Sequence, residues 1–302
     1  MIADVFVKGL GGFDRDKAYA AIRKNGSIAG PAMEPGPASW ENIKQGRFAD
    51  YFALGYLPID TPLGGNTNSS ATSRTLEYAV NDFGIASVAE ILAKSEDAKH
   101  FKQRSLNGRK LWNPDTQFFR AKDRTREWVD GFKPTLNPHS FQGPFYEGTP
   151  WQYRFAMRHD VGGMIRRLGG NQSFLNILDQ YFDGGFHAQD NQPTLLTPWL
   201  HTYAGPPDKN VDRVRAAMEK NHRAERKGLP GTNKYVQSAA LNGKVWNKAW
   251  LRHRDIVNGA DLVLKMGDKP SDLGTNEAPP SLTSATQKMQ RCIEHLDIPC
   301  TT

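Results

Sequence analysis

SRTLEYAVNDFGIASVAEIL, Ser73 to Leu92, decides the fold. Leu76, Val80 and Phe83 recur along one face of a helix, and Ile85, Val88 and Leu92 recur along another. A helix with two apolar faces is packed between neighbours, so a mainly α fold is expected around it. Ser73 is its expected N-cap, and Glu96 to Leu106 is expected to form a shorter second helix. Toward the N-terminus, Asp14 fits the N-cap of a helix with Ala18, Tyr19 and Ile22 on one face. Residues 25–72, rich in Gly, Pro, Asn and Ser, read as one long irregular loop, which a compact domain rarely carries unless the loop lines a site.

Toward the C-terminus, Arg109 to Phe145 reads as loop with short extended pieces. Helices are expected over residues 148–168, 173–183 and 194–204, the last ending at Gly205 before two prolines. A further helix over 208–226 would turn Val211, Val214 and Met218 inward. After Gly231 the period changes to that of strands. Tyr235 to Leu241, an Asn242-Gly243 turn and Lys244 to Trp250 read as a β-hairpin, with Leu262 to Met266 as a third strand.

A chain of 302 residues can bury one large core or two modest ones. Its 38% hydrophobic content, with Gly and Pro spread along the chain, excludes disordered and fibrous classes. The formal charge is +7, but the basic residues are scattered. The densest cluster, Arg213 to Lys227, is interrupted by Glu219 and Glu225 and reads as the solvated face of a helix, so no nucleic-acid partner is expected. No apolar run reaches the ~18 residues of a membrane helix, so no membrane partner is expected. MIADVFVKGL has no basic stretch leading into a long apolar one, so no signal peptide is visible. Cys292 and Cys300 could pair, but they form neither a disulfide framework nor a metal-ligand spacing. Asn25, Asn68 and Asn171 head Asn-x-Ser sequons, which permit glycosylation in a secretory route.

The stretch with chemistry in it is FYEGTPWQYRFAMRHD, Phe145 to Asp160. Glu147 stands beside Gly148 and Pro150 and runs into Trp151, Tyr153 and Phe155. A carboxyl group walled by aromatic rings is poorly solvated as an anion, which favours the protonated acid a glycosidase needs at its leaving oxygen. The alternative is that Glu147 caps a helix whose aromatic residues are ordinary core. His159 and Asp160 likewise read either as site residues or as a hydrogen-bonded pair tying a helix end.

Around this stretch the chain carries, in order, GYLPID (Gly55 to Asp60), the Ser73 helix, RSLNGRKLWNPDTQFFRAKD (Arg104 to Asp123), GGNQSFLNILDQYFD (Gly169 to Asp183), DNQPTLLTPWLHTYAGPP (Asp190 to Pro207) and RKGLPG (Arg226 to Gly231). From about residue 1 to about residue 272 this series resembles the catalytic domain of glycoside hydrolase family 92, the calcium-dependent, inverting exo-α-mannosidases. The resemblance implies a partial (α/α)6 toroid over 1–231, a small C-terminal β remnant over 232–272 and a flexible tail over 273–302. It implies a mannose-containing oligosaccharide or glycoprotein glycan as partner, and a family typically secreted or periplasmic. Glu147 matches the general acid, in a motif usually written Glu-Gly-Asn-Ala-Trp-Gln-Tyr, with Thr149 and Pro150 replacing the Asn-Ala pair. Trp151, Gln152, His159 and Asp160 are the matching substrate-binding positions. Calcium would be held at Asp190-Asn191-Gln192, where the family has Asn-Glu-Pro; Asn191 keeps an oxygen, Gln192 replaces a carboxylate, and Asp190 stands one position early.

Inverting hydrolysis needs two carboxylates about 6.5–9.5 Å apart. Asp160 follows Glu147 by thirteen residues, which on one continuous helix is about 3.6 turns and puts it on a different face. In the family, Leu-Pro-Gly leads into an Asn-Asp-Asp-x-Gly-x-Met-Ser segment carrying the base. Here Leu229-Pro230-Gly231 is followed at once by Thr232-Asn233-Lys234-Tyr235, and the chain resumes in what resembles the family's later β-domain. The family's N-terminal β-sandwich is also not found before Met1. The expectation is a family 92 relative without turnover. The alternatives are an enzyme whose base is supplied elsewhere, or a decayed relative that binds carbohydrate weakly or has no activity.

Overall fold

The computed structural model describes residues 2–27, 48–60, 70–135, 143–188, 192–205, 207–221 and 233–283. The chain divides into two compact units, Met1–Arg158 and His159–Thr302. The expectations at Asp190, Asn191, the Gly231–Thr232 junction, Asn68, Cys292 and Cys300 lie outside the described residues.

The first unit contains α1 (Ile2–Val7), α2 (Arg15–Ser27), α3 (Phe48–Leu54), α4 (Ala71–Ile91), α5 (Ser95–Arg104) and α6 (Pro150–Tyr153). Between α5 and α6 lie a 3-10 turn, Asn107–Leu111, and a two-stranded ribbon of β1 (Trp112–Asn113) and β2 (Phe118–Phe119). α4 is the central helix that its two apolar faces predict. Ile85, Ala86, Val88 and Ala89 pack with Phe6 of α1, Tyr19 of α2, and Ala98 and Phe101 of α5. Leu76 and Ala79 are also fully buried. The helix begins three residues earlier than expected, since its N-cap is Ser70 rather than Ser73, with left-handed backbone (φ 74) and no side-chain cap. Ser73 instead turns its hydroxyl back to the Ser70 carbonyl at 3.1 Å. Asp14 does cap α2, accepting from the Lys17 N–H at 2.9 Å.

Helix α3 is a correction to the expected loop over 25–72. One aromatic residue fixes it: Tyr51 is fully buried and donates to Asp82 Oδ2 at 2.9 Å. Arg104 closes the knot, Nε to Asp82 Oδ2 at 2.8 Å, with its guanidinium over the Phe101 and Phe52 rings at 4.8 and 5.0 Å. Burial raises the Asp82 pKa and the Arg104 contacts oppose that rise. Truncating one partner of such a buried pair typically costs about 3–5 kcal/mol.

The second unit contains α7 (Val161–Arg167), α8 (Asn171–Asp183), α9 (Asp208–Asn221), α10 (His253–Ile256) and 3-10 turns at Gln192–Thr194 and Thr197–Tyr203. The expected helix over 148–168 is therefore broken into α6, a 3-10 turn at Arg158–Asp160, and α7. The helical hydrogen-bond ladder lapses between them: the Ala156 N–H donates to the Tyr153 carbonyl at 3.0 Å and the Arg158 N–H to the Ala156 carbonyl at 2.8 Å. The helical-turn argument separating Glu147 from Asp160 falls with it. The expected helix over 194–204 is 3-10 in its second part, and in α9 it is Asn210 and Ala217 that are buried while Val211 and Val214 are half-buried. The expected helix over 173–183 is α8, with Phe174, Leu178 and Tyr181 buried.

Strands β3 (Tyr235–Leu241), β4 (Lys244–Val245) and β5 (Leu262–Gly267) form an antiparallel sheet in the order β4-β3-β5. Asn242 and Gly243 both have positive φ, 51 and 76, which is the type I′ geometry of a tight hairpin. β4 stops at Val245, short of Trp250. The alternation beyond it belongs to a cation cage, in which the Lys248 ammonium lies 5.5 and 4.8 Å from the Trp246 and Trp250 ring centres.

Candidate functional site

In the first unit, Glu147 sits at the head of α6. Thr149 is the N-cap, and a capping box joins it to Gln152: the Gln152 N–H donates to Thr149 Oγ1 at 3.3 Å, and the Thr149 N–H donates to Gln152 Oε1 at 2.6 Å. Pro150 at the first helical position needs no partner for a missing N–H. The replacement of Asn-Ala by Thr-Pro thus leaves a well-capped helix, and Thr149, not Glu147, is its cap. Gly148 is required by close packing, because a Cβ there would lie 2.9 Å from the Tyr153 ring and 3.2 Å from Gln152 Oε1. The Tyr153 hydroxyl donates to the Tyr146 carbonyl at 2.8 Å, which holds the turn over the helix.

These contacts lift Glu147 out of the core. Its backbone is left-handed, φ 59, a conformation that costs a non-glycine residue roughly 1–2 kcal/mol. Its side chain is exposed, which corrects the expected enclosure by aromatic rings. Trp151 and Phe155 are turned into the core, with Trp151 edge-on to Phe118 at 5.0 Å. Burial, together with the nearby Glu147 charge, raises the Tyr146 pKa. Of the predicted site residues in this unit, Glu147 alone presents its carboxylate outward; Trp151 packs and Gln152 caps.

In the second unit, His159 and Asp160 are both buried, Asp160 at 0% exposure. The Asp160 carboxylate folds over the first turn of α7, where a Cβ on Gly163 would lie 2.2 Å from it. Three successive residues of the expected tail close over this corner. The Gly162 N–H donates to Ser281 Oγ at 3.0 Å, the Leu282 N–H donates to the His159 carbonyl at 2.8 Å, and Thr283 Oγ1 donates to Asp160 Oδ1 at 2.7 Å. The described part of 273–302 is therefore tied down by residues 281–283.

A second polar network was not signalled by any periodicity. Asp179 of α8 accepts from Lys209, from Arg213 at 3.2 Å, and pairs with the fully buried His201 at 3.3 Å. Burial lowers the His201 pKa against the opposing pull of Asp179. Gln192 opens its 3-10 turn as an exposed neutral amide. Among the described residues no group of three or more His, Cys, Asp or Glu side chains is placed to hold a metal ion. No helix among them is long and apolar enough to cross a membrane.

The described residues are mainly helical around the Glu147 turn. The sequence profile of the glycosyl hydrolase family 92 catalytic domain matches residues 1–233 and 231–268, and the chain belongs to that family. It is similar to an uncharacterized secreted glycosidase of Arthroderma benhamiae, 26% identical over 373 aligned positions that cover 95% of this chain and 47% of the relative. In fold it is similar to a family GH92 α-mannosidase of Bacteroides thetaiotaomicron in complex with mannoimidazole, with TM-score 0.78, 22% identity, and 97% of this chain matched to 48% of that one. A family GH92 inverting mannosidase of the same organism gives TM-score 0.77 at 23% identity, with 93% of this chain matched to 47% of that one. The chain spans under half the length of each of these relatives. The family match breaks in two at residues 231–233, and the 373 positions aligned to the Arthroderma relative exceed the 302 residues present.

Proposed function

We propose that this chain recognises mannose-containing oligosaccharides or glycoprotein glycans through the family 92 scaffold and does not hydrolyse them. The observation that carries this is the break in the family match at 231–233, where the segment supplying the base is expected. Glu147 is the proposed general acid, since its strained, capped turn holds a carboxylate outward at one fixed place. A proton donor alone leaves inversion half-equipped, because the attacking water needs a second carboxylate, and general base catalysis contributes about 10²–10⁴-fold. Trp151 and Gln152 serve by holding that turn. His159 and Asp160 remain the proposed sugar-facing corner of the second unit, which Ser281 and Thr283 cover here.

Calcium, implied by the family, would draw on Asp190, Asn191 and Gln192. A hard cation takes 6–8 oxygens, preferably from carboxylates. Gln192 offers one neutral oxygen, so the described donors do not fit the ion and no step is routed through it. By the description of its Arthroderma relative, we place the protein among secreted proteins.

Titration calorimetry with methyl α-mannoside, and methyl α-glucoside as control, tests the binding half of this function. Wild type is expected to bind the mannoside in the millimolar range and Glu147→Ala to bind it several-fold more weakly. Equal heats for the two sugars, or none for either, would show that the scaffold no longer recognises mannose.

A further inference from the structure

Arg154 follows Tyr153 at the end of α6, and its side chain lies in the core of the first unit at 4% exposure. Its guanidinium is covered on its faces by two rings, with the Phe118 centre at 4.2 Å and the Trp151 centre at 4.9 Å. Ring faces engage the plane of a guanidinium and leave its rim of N–H donors to find other partners. The rim has one side-chain contact, Nη2 to Gln117 Oε1 at 3.4 Å, which is long for a hydrogen bond. Nε has none. Among the described residues no carboxylate pairs with it, and burial alone pushes its pKa down to about 10, so the group is still a cation at neutral pH. The attraction of two ring faces is smaller than the cost of dehydrating a cation, and buried charges in folded proteins are paired.

We propose that the rim of Arg154, beside the Gln117 amide, is a binding site for one small monovalent anion, a halide or a carboxylate. The anion supplies a counter-charge that no described carboxylate supplies, and it docks where the β1–β2 ribbon meets α6. Gln117 closes the β1–β2 turn, with left-handed backbone, φ 55, and its N–H on the Asn113 carbonyl at 2.9 Å. Such an anion would steady the Trp151 ring, and through it the helix whose cap presents Glu147. The site does not depend on whether the chain binds a sugar.

Chloride-35 NMR line broadening on the full chain reads the site directly. Wild type is expected to broaden the chloride line in excess of bulk, with formate competing the excess away. Arg154→Met is expected to lose the excess, and Arg154→Lys to keep a weaker one. Broadening that survives in Arg154→Met, or none in wild type, overturns the proposal. If Arg154→Met does not fold, wild-type thermal melts at constant ionic strength decide it. Replacing methanesulfonate by chloride or formate should raise the midpoint by a few degrees and then saturate, whereas a flat response contradicts the site. The anion that saturates at lower concentration distinguishes halide from carboxylate.

Discussion

Thr283 donates its hydroxyl proton to the buried carboxylate of Asp160 at 2.7 Å, across 123 residues of chain. Together with Ser281 and Leu282 it ties the last described residues of the second unit to the start of α7. A segment whose composition reads as tail is thus part of the fold, because its hydroxyls and one N–H meet polar groups at the buried start of α7.

Thr283→Val keeps the shape and removes the donor. The variant should lose about 1–3 kcal/mol of stability, the cost of a buried acceptor left without its hydrogen bond. Urea unfolding followed by tryptophan fluorescence checks this, with Thr283→Ser restoring most of the loss. An unchanged midpoint for Thr283→Val would mean the closure contributes nothing.

The His201–Asp179 pair gives a pH dependence of known sign. Burial holds the folded-state pKa of His201 below its ordinary 6.5. Between the lowered value and 6.5 the unfolded chain binds more protons than the folded one, so stability rises with pH. The His201 contribution is complete above 6.5 and is lost as pH falls through that window. Urea midpoints at about pH 7.5 and 5.5 should separate in wild type and draw together in His201→Gln. Equal separation in the variant would assign the acid sensitivity elsewhere.

Strand β5 leaves Val263 56% exposed and Leu262, Leu264 and Met266 exposed beside it. As the outer strand of its sheet, with one lysine and no proline, it is a template for pairing with another chain. Poor solubility and broad thermal unfolding are expected of the wild-type chain. Val263→Lys should lower aggregation in static light scattering without changing the far-ultraviolet circular dichroism. A monodisperse wild type with a sharp calorimetric transition would remove the reason for this variant.

Much of the fold was legible where local chemistry and packing agree. The Asp14 cap, the two faces of α4, the Asn242-Gly243 turn and strand β5 each follow from a few neighbouring residues. What was missed depends on partners distant in sequence. Asp82 is a polar residue at a core position, and only Arg104 and Tyr51 make that tolerable. Helix α3 rests on the same knot. The run Phe155 to Met157 looks helical because it is apolar, yet the helical hydrogen-bond ladder lapses within it. At Glu147 the motif could be read, but not that Thr149 would cap the helix or that the aromatic residues beside it would face inward. Composition alone cannot tell a ring that walls a carboxylate from one that packs beneath it.

The most direct test of the central claim is turnover. With an aryl α-mannoside at millimolar calcium, the chain should release no more aglycone than buffer, because on the proposed function Glu147 acts without the second carboxylate that inversion requires. A rate above buffer that vanishes with chelator or in Glu147→Gln would contradict the account. Asp190→Asn would then show whether the nearest acid to the metal loop has taken the place of the base.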